Sequence, residues 1–387
     1  MTDRFDVAVV GSGIVGLGAA YAAVRRGQRV VVIDRTESPM GATVRNFGHL
    51  CISAQAGQAR EYADASRDLW LQLSRDAGFW LRASGTLIVA RHSDELALLE
   101  AAADDGCQML TAAELEALTP IRPGIAVGGA HLTADLQTDP RTAVHAIVAY
   151  LSSLGVEFRM RTSVGSVATG IVTTSRGIIH ADTIVVAVNH DIDQLLPEIA
   201  EGVGIVRCAL DMLRVHADLR RPLDAPLLTG WSLVRYSRFA SLPAAAVVRD
   251  RLHSERPDLA ALDLNQMYTQ LPDGSLIVGD THSRGISIPP FQAEDAAALL
   301  LAETETLFGI PAPRVIERWQ GVYASGPTDF LVAEPQPGVL AIAATTGIGM
   351  TTGLGLAESA IAARLGAAPE LTAPELTAPL RTLEGTK

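Results

Sequence analysis

With 387 residues, 48% of them hydrophobic, the chain is long enough for a globular protein of two to three domain equivalents, and its net charge of −12 speaks against nucleic acid or an anionic membrane surface as a partner. No apolar run reaches membrane-spanning length and the start leads straight into a strand pattern, so the expectation is a cytoplasmic chain with no membrane span and no signal peptide. Cys51, Cys107 and Cys208 lack metal-ligand spacing and read as reduced core thiols with no metal, while the only lysine, Lys387, leaves no internal position for Schiff-base chemistry.

The most specific pattern comes first. An apolar strand, Phe5-Asp-Val-Ala-Val-Val10, runs into Gly11-Ser-Gly13-Ile-Val-Gly16, an alanine-rich helix over 17–26, and a second strand, Arg29-Val-Val-Val-Ile33, closed by Asp34. Gly11 permits a tight turn, Gly13 lets the backbone approach a pyrophosphate, and Gly16 allows close helix–strand packing. The helix N-terminus then faces the phosphates, and Asp34 can accept hydrogen bonds from ribose hydroxyls. Strand, turn, helix, strand and acid together point to a dinucleotide; a glycine-rich turn without ligand is the bland alternative.

Further along, a loop (35–58) and a helix (59–78) follow. Residues 85–90 read as a strand, 94–105 as a helix, and Thr111 caps another. Asp139-Pro140 opens a helix to residue 154. Then come a strand (155–160), a hairpin (164–180) and a buried parallel strand (181–189). A second sheet is predicted from 210–217, 232–238, 264–270 and 276–279, followed by a helix over 293–308. Residues 339–344 form another buried strand that meets the glycine loop 345–353 and a helix over 354–365. The duplicated Leu-Thr-Ala-Pro (371–374 and 376–379) reads as a terminal arm, since two copies are too few for a repeat fold.

In this order the segments resemble the D-amino acid oxidase, glycine oxidase and sarcosine oxidase family of flavoproteins. Gly41-Ala-Thr-Val-Arg-Asn46-Phe-Gly48 is similar to the family's flavin-ring loop, and residues 181–189 to its second FAD strand, where Asn189 stands in place of the usual glycine. Trp319-Gln-Gly321 resembles the start of the strand entering the active site. The glycine loop 345–353 resembles the segment at the flavin pyrimidine edge. The resemblance implies an α/β fold: a Rossmann-like FAD-binding domain (1–80, 140–205 and 318–387) interleaved with an α+β substrate domain built on a mixed or antiparallel sheet (81–139 and 206–317). It implies FAD held by Gly11, Gly13, Ile14, Val15, Gly16, Asp34, Arg35, Thr43, Arg45, Asn46, Phe47, Gly48, Val164, Asn189, Gly347, Gly349, Met350 and Thr351. It also implies oxidation of a carbon–nitrogen bond by hydride transfer to flavin N5, giving an imine that hydrolyses, with molecular oxygen as acceptor.

One departure bears on the substrate. Tyr323 stands where the family's amino-acid oxidases place an arginine for the substrate carboxylate. Together with Arg45-Asn-Phe-Gly, Ser232-Leu-Val-Arg-Tyr236 and the stretch from Asp273 to His282, this is similar to the branch associated with phosphonate catabolism, which implies an aminoalkylphosphonate. Arg235, Arg45 and Arg284 are the candidate cations for its head group, because a guanidinium bonds two oxygens at once; His282 and Tyr268 are candidate cavity residues. His49, beside the flavin loop, could face the ring, assist reoxidation or attach FAD covalently, and Tyr323 faces the chemistry; a hydrogen-bonded loop histidine and half-buried sheet residues are the plain alternatives. Glycine, sarcosine or a D-amino acid as substrate, a dehydrogenase passing electrons to another acceptor, and a flavin-binding protein without turnover all stay open, as does a homo-oligomer.

Overall fold

A computed structural model describes residues 4–368; the duplicated Leu-Thr-Ala-Pro arm and Lys387 lie outside the described residues. Fifteen strands form one mixed sheet: β1 (Arg4–Val10), β2 (Val30–Ile33), β3 (Thr86–Ala90), β4 (Cys107–Thr111), β5 (Gly128–Leu132), β6 (Glu157–Arg159), β7 (Val164–Ala168), β8 (Ile171–Thr174), β9 (Gly177–Val186), β10 (Val206–His216), β11 (Leu227–Leu228), β12 (Met267–Gln270), β13 (Leu276–Gly285), β14 (Arg314–Gln336) and β15 (Val339–Thr346). Their order is β4-β5-β3-β11-β12-β13-β10-β14-β15-β9-β1-β2-β6, with the β7–β8 hairpin on β9.

The sheet changes character along this order. From β15 through β9, β1 and β2 to β6 the pairs are parallel, as expected of strands such as Val30–Ile33 that are buried on both faces. From β12 through β13, β10 and β14 to β15 they are antiparallel. Helices α1 (Ile14–Val24), α2 (Gly57–Ala77), α3 (Pro140–Ser153) and α5 (Gly349–Leu365) belong with the parallel part, and α4 (Glu294–Phe308) packs beside β13 and β10. One apolar cluster joins α1, α2, α3 and α5 to the parallel strands, and another joins β3, β12 and β13 to α4. The chain is thus α/β with a mixed sheet, in which β14 lies between β10 of the antiparallel part and β15, which begins the parallel part. That strand begins at Arg314, ahead of the boundary expected at 318.

Most expected elements form. Asp139 caps α3 by accepting from the Arg141 amide with Pro140 in the first turn, and Thr111 closes a capping box with Glu114. Two expectations fail. Residues 232–238 are not a strand but parts of two short helices, Gly230–Leu233 and Ser237–Ala240. Residues 230–233 are buried throughout, and the Ser232 hydroxyl donates to Asn265 Oδ1 at 2.7 Å, so tertiary contacts override the expected strand. The glycine loop 345–353 is also largely helix, since α5 starts at Gly349. Its glycines are packing positions: a Cβ on Gly353 would meet Val15 at 3.1 Å and one on Gly355 would collide with the Tyr62 carbonyl. Among the described residues no helix is long and apolar enough to cross a membrane.

Candidate active site

A cavity of about 690 Å³ runs from the β1–α1 turn to β14, within the roughly 300–1,000 Å³ usual for ligand sites. Its first wall is backbone. Gly11 has φ +105°, and a Cβ there would stand 2.5 Å from the Ala187 carbonyl; a Cβ on Gly16 would collide with the Gly11 carbonyl. Gly13 caps α1 without a side chain, which leaves the positive helix end open to an anion. Thr43 reaches in from the next loop to accept the Ile14 amide at 2.9 Å. Asp34 holds the turn: Oδ2 accepts from the Ser12 amide and hydroxyl at 2.8 and 2.6 Å, and Oδ1 from the Thr36 amide and hydroxyl at 2.9 and 2.7 Å.

The rest of the wall brings together residues far apart in sequence. Val15, Arg35, Arg45, Asn46, Val164, Asn189, Gly347, Gly349 and Met350 line it alongside Gly11, Gly13, Ile14, Asp34 and Thr43. Asn189 has φ +56°, a conformation asparagine tolerates better than most residues. Its side chain takes a hydrogen bond from the Ala324 amide at 2.8 Å, so the replacement for glycine also ties the end of β9 to β14. Gly16, Phe47, Gly48 and Thr351 do not line the cavity. Gly16 lets α1 approach β1, and Phe47 packs under Gly279. Gly48 touches the Thr138 carbonyl, and Thr351 accepts from the buried Cys51 amide.

Three neighbouring strands build the far wall. Tyr323 on β14 pairs with Cys208 on β10, which pairs with Arg284 on β13; two residues along, Gly321 pairs with Leu210, which pairs with His282. A two-residue spacing puts both rows on one sheet face. Gly321, Leu210 and Tyr323 line the cavity, and the Tyr323 ring lies 3.1 Å from where a Cβ on Gly347 would stand. Burial and the adjoining Cys208 push the Tyr323 hydroxyl far above its ordinary range, so it stays protonated.

The candidate cations are arranged in two ways. Arg45 is exposed on the cavity wall, where one guanidinium nitrogen donates to the Gln320 carbonyl at 3.3 Å. Arg235 and Arg284 instead share Asp263, each with one nitrogen 2.5 Å from a different carboxylate oxygen. Burial alone would raise the Asp263 carboxyl, but these two arginines hold it below the usual range. His282 places Nδ1 2.9 Å from the Asp263 carbonyl and Nε2 3.4 Å from Asp280 Oδ2. Arg235 comes from the turn after a short helix rather than from a strand.

Five further expected site residues do not line the cavity: Arg235, Arg284, His282, His49 and Tyr268. His49 is buried with Nε2 2.6 Å from Thr86 Oγ1 and Nδ1 3.1 Å from Met267 Sδ, and it does not line the cavity. Its Nε2 also stands 3.6 Å from Asp135 Oδ2. Tyr268 is a core residue, stacked edge-on against Phe308, with its hydroxyl accepting from Gln266 at 3.0 Å; burial pushes that hydroxyl up to about 12. Asp263, Asn265 and Asp280 gave little sign in the sequence. Only Asp280 carried a signal, as an acid ending the apolar run Leu276-Ile-Val-Gly279.

The residues present fit the expected FAD: the cavity offers a glycine-walled turn at a helix N-terminus and space continuing to Tyr323, with Asp34 on its wall accepting from Ser12 and Thr36. Comparison with known proteins agrees. The family DAO, FAD dependent oxidoreductase, matches residues 6–364. A D-amino acid dehydrogenase of Helicobacter pylori is 24% identical over a match covering 47% of this chain and 59% of that protein. A glycine oxidase of Bacillus licheniformis is 27% identical, over 48% of this chain and 54% of that protein. The chain therefore spans little more than half the length of these curated relatives. Among solved structures, an L-proline dehydrogenase from P. horikoshii superposes with a TM-score of 0.77 at 17% identity, over 96% of both chains.

Proposed function

We propose, from the premise that this chain belongs to the DAO family of FAD-dependent oxidoreductases and takes FAD as its cofactor, that it oxidises the carbon–nitrogen bond of a small amine carrying an anionic group, an aminoalkylphosphonate above all. The observation that carries this reading is the cavity's far wall. A protonated Tyr323 lines it where the family resemblance puts a carboxylate-binding arginine, and Arg45 is the candidate cation on the wall, while Arg235 and Arg284 do not line the cavity and are paired with Asp263. An anion removed from water needs such partners, because an unpaired charge in a low-dielectric site is strongly disfavoured. Bound FAD supplies the two-electron acceptor; the chain supplies orientation, exclusion of water and charge. We assign the nucleotide part to 1–80, 140–205 and 318–387 and the substrate part to 81–139 and 206–317. Oxygen is our proposed final acceptor, and the cytoplasm the proposed location.

A second reading has its own support. The curated relatives are named for glycine and for D-amino acids, and one of them as a dehydrogenase, so a simple amino acid as substrate, or an acceptor other than oxygen, is the alternative. Anaerobic mixing of the FAD-loaded protein with a panel of aminoalkylphosphonates, their N-methyl derivatives, glycine, sarcosine and D-alanine decides between them. The phosphonates are expected to bleach the flavin fastest. Faster bleaching by glycine, sarcosine or D-alanine would give the second reading the substrate, and no bleaching by any amine would overturn both.

A further inference from the structure

One edge of β14 opens onto the cavity. On its other side β14 pairs with β10 in unbroken register, from Gln320 opposite Asp211 to Ser325 opposite Val206. Its pairing with β15 begins only at Ser325, opposite Thr346. Ahead of Ser325, therefore, no strand covers this edge among the described residues. Residues two apart in an antiparallel strand turn their N–H and C=O to the same side. Two bonds fix which side that is here. The Gln320 carbonyl accepts from Arg45 at 3.3 Å, and the Ala324 amide donates to Asn189 Oδ1 at 2.8 Å. Both partners stand on the cavity wall, away from β10. Val322 lies midway between Gln320 and Ala324, so its own N–H and C=O face the same open side, with Arg45 fixing the strand before it and Asn189 after it.

Val322 is also where two cavities meet. With His190 and Gln194 it lines both the cavity described above and a second one of about 530 Å³, bounded further along by Arg207, Ile286, Ile288 and Pro290. The second cavity offers a small molecule volume outside the one that fits FAD. Its arginine is not free to take an anion, because Arg207 is bound to Asp193 at 2.6 Å. At the junction, however, the buried Nδ1 of His190 has no hydrogen-bond partner among the described residues. Backbone and side-chain polar groups withdrawn from bulk water are nearly always paired. A wall that presents a donor, an acceptor and a bare ring nitrogen is therefore suited to a polar molecule.

We propose that the main chain of Val322 is a substrate subsite: its N–H donates to an oxygen of the anionic group and its C=O accepts from the ammonium. This rests on the amine reading above. An extended residue carries its donor and acceptor side by side on one edge. An amine whose anionic group is one or two carbons away carries the complementary pair. Sheet edges take up peptides through main-chain bonds of the same kind. A neutral amine of equal length can use only the carbonyl, so the subsite favours the anionic compound through a group that no side chain reveals.

Hydrogen exchange on the FAD-loaded wild type reads this N–H directly, with the flavin reduced beforehand so that nothing turns over. The probes are aminomethylphosphonate and 2-aminoethylphosphonate, and calorimetry shows whether they bind. With either bound, the Val322 amide should exchange at least about 10-fold more slowly. A variant adds a second reading. Val322→Pro removes the N–H without breaking a ladder bond, since that N–H faces away from β10, and Val322→Ala keeps it. Val322→Pro should raise the phosphonate concentration for half-maximal flavin reduction about 10-fold, leave the limiting rate nearly unchanged, and affect the neutral amine of equal length much less; Val322→Ala should behave as wild type. Unchanged exchange with a phosphonate bound would overturn the subsite and leave the amine reading standing. So would protection by FAD alone, which would give this edge to the cofactor, or an equal loss for the neutral amine. If neither phosphonate binds while glycine or D-alanine bleaches the flavin, the anionic-amine reading falls and the subsite with it.

Discussion

Around Gly11 and Gly13 the cavity wall is backbone, held close by the Ala187 carbonyl and by Thr43, whereas around Tyr323 it carries side chains from separate elements, such as Arg45 after β2, Leu210 on β10 and Tyr323 on β14. The first wall tolerates almost no change in volume, because its atoms approach more closely than a Cβ allows. The second can exchange side chains while the strands stay put. We propose that the first wall serves the cofactor and the second the choice of substrate.

Several substitutions press on that contrast, beginning with the largest expected effect. Gly16→Ala drives a methyl group into the Gly11 carbonyl, and denaturant unfolding should show a loss of about 3 kcal/mol together with lost FAD. Gly13→Ala, whose Cβ would stand 3.2 Å from the Thr43 hydroxyl, should cost less than about 1 kcal/mol in the same measurement, since overpacking there is relieved by a side chain. Equal losses would mean that the wall is not held by backbone contact.

Asp34→Ala removes the acceptor of four hydrogen bonds. Titration with FAD should show binding weakened by about 1.5–3 kcal/mol, with the reduction rate of bound flavin nearly unchanged. An unaltered FAD affinity would take Asp34 out of the ribose position. Arg45→Ala should reduce catalytic efficiency about 10-fold for an anionic amine, in line with one lost charge-assisted bond, and leave a neutral amine of the same length alone; equal losses for both would make Arg45 a support of the loop. Tyr268→Phe strips Gln266 of its acceptor. It should cost about 1 kcal/mol of stability in thermal unfolding and leave turnover intact, and a loss of turnover would return Tyr268 to the cavity.

The same contrast governs what could be read from the sequence. The nucleotide unit was legible because its parts are local: turn, helix and acid follow one another within about 30 residues, the span of one β-α-β unit, and each role needs a particular residue type. Residues 232–238 misled because the local sequence cannot reveal that Ser232 bonds to Asn265, and α5 was obscured because glycines that serve helix packing look like loop glycines. His49 drew attention by following the flavin-loop-like segment and Tyr268 by lying on a strand predicted to neighbour that of His282, yet their partners, Gln266, Thr86 and Met267, satisfy them inside the core. Asp263, which binds Arg235 and Arg284 together, gave no local sign of its partners.

The account turns on the cavity's far wall selecting an anionic amine, and one comparison tests this directly: the anaerobic reduction rate of the flavin by an aminoalkylphosphonate against that by the neutral amine of equal length, measured on the same preparation. The account predicts that the phosphonate reacts at least about 10-fold faster at equal concentration, the equivalent of one charge-assisted contact. A neutral amine that reacts as fast or faster would contradict it.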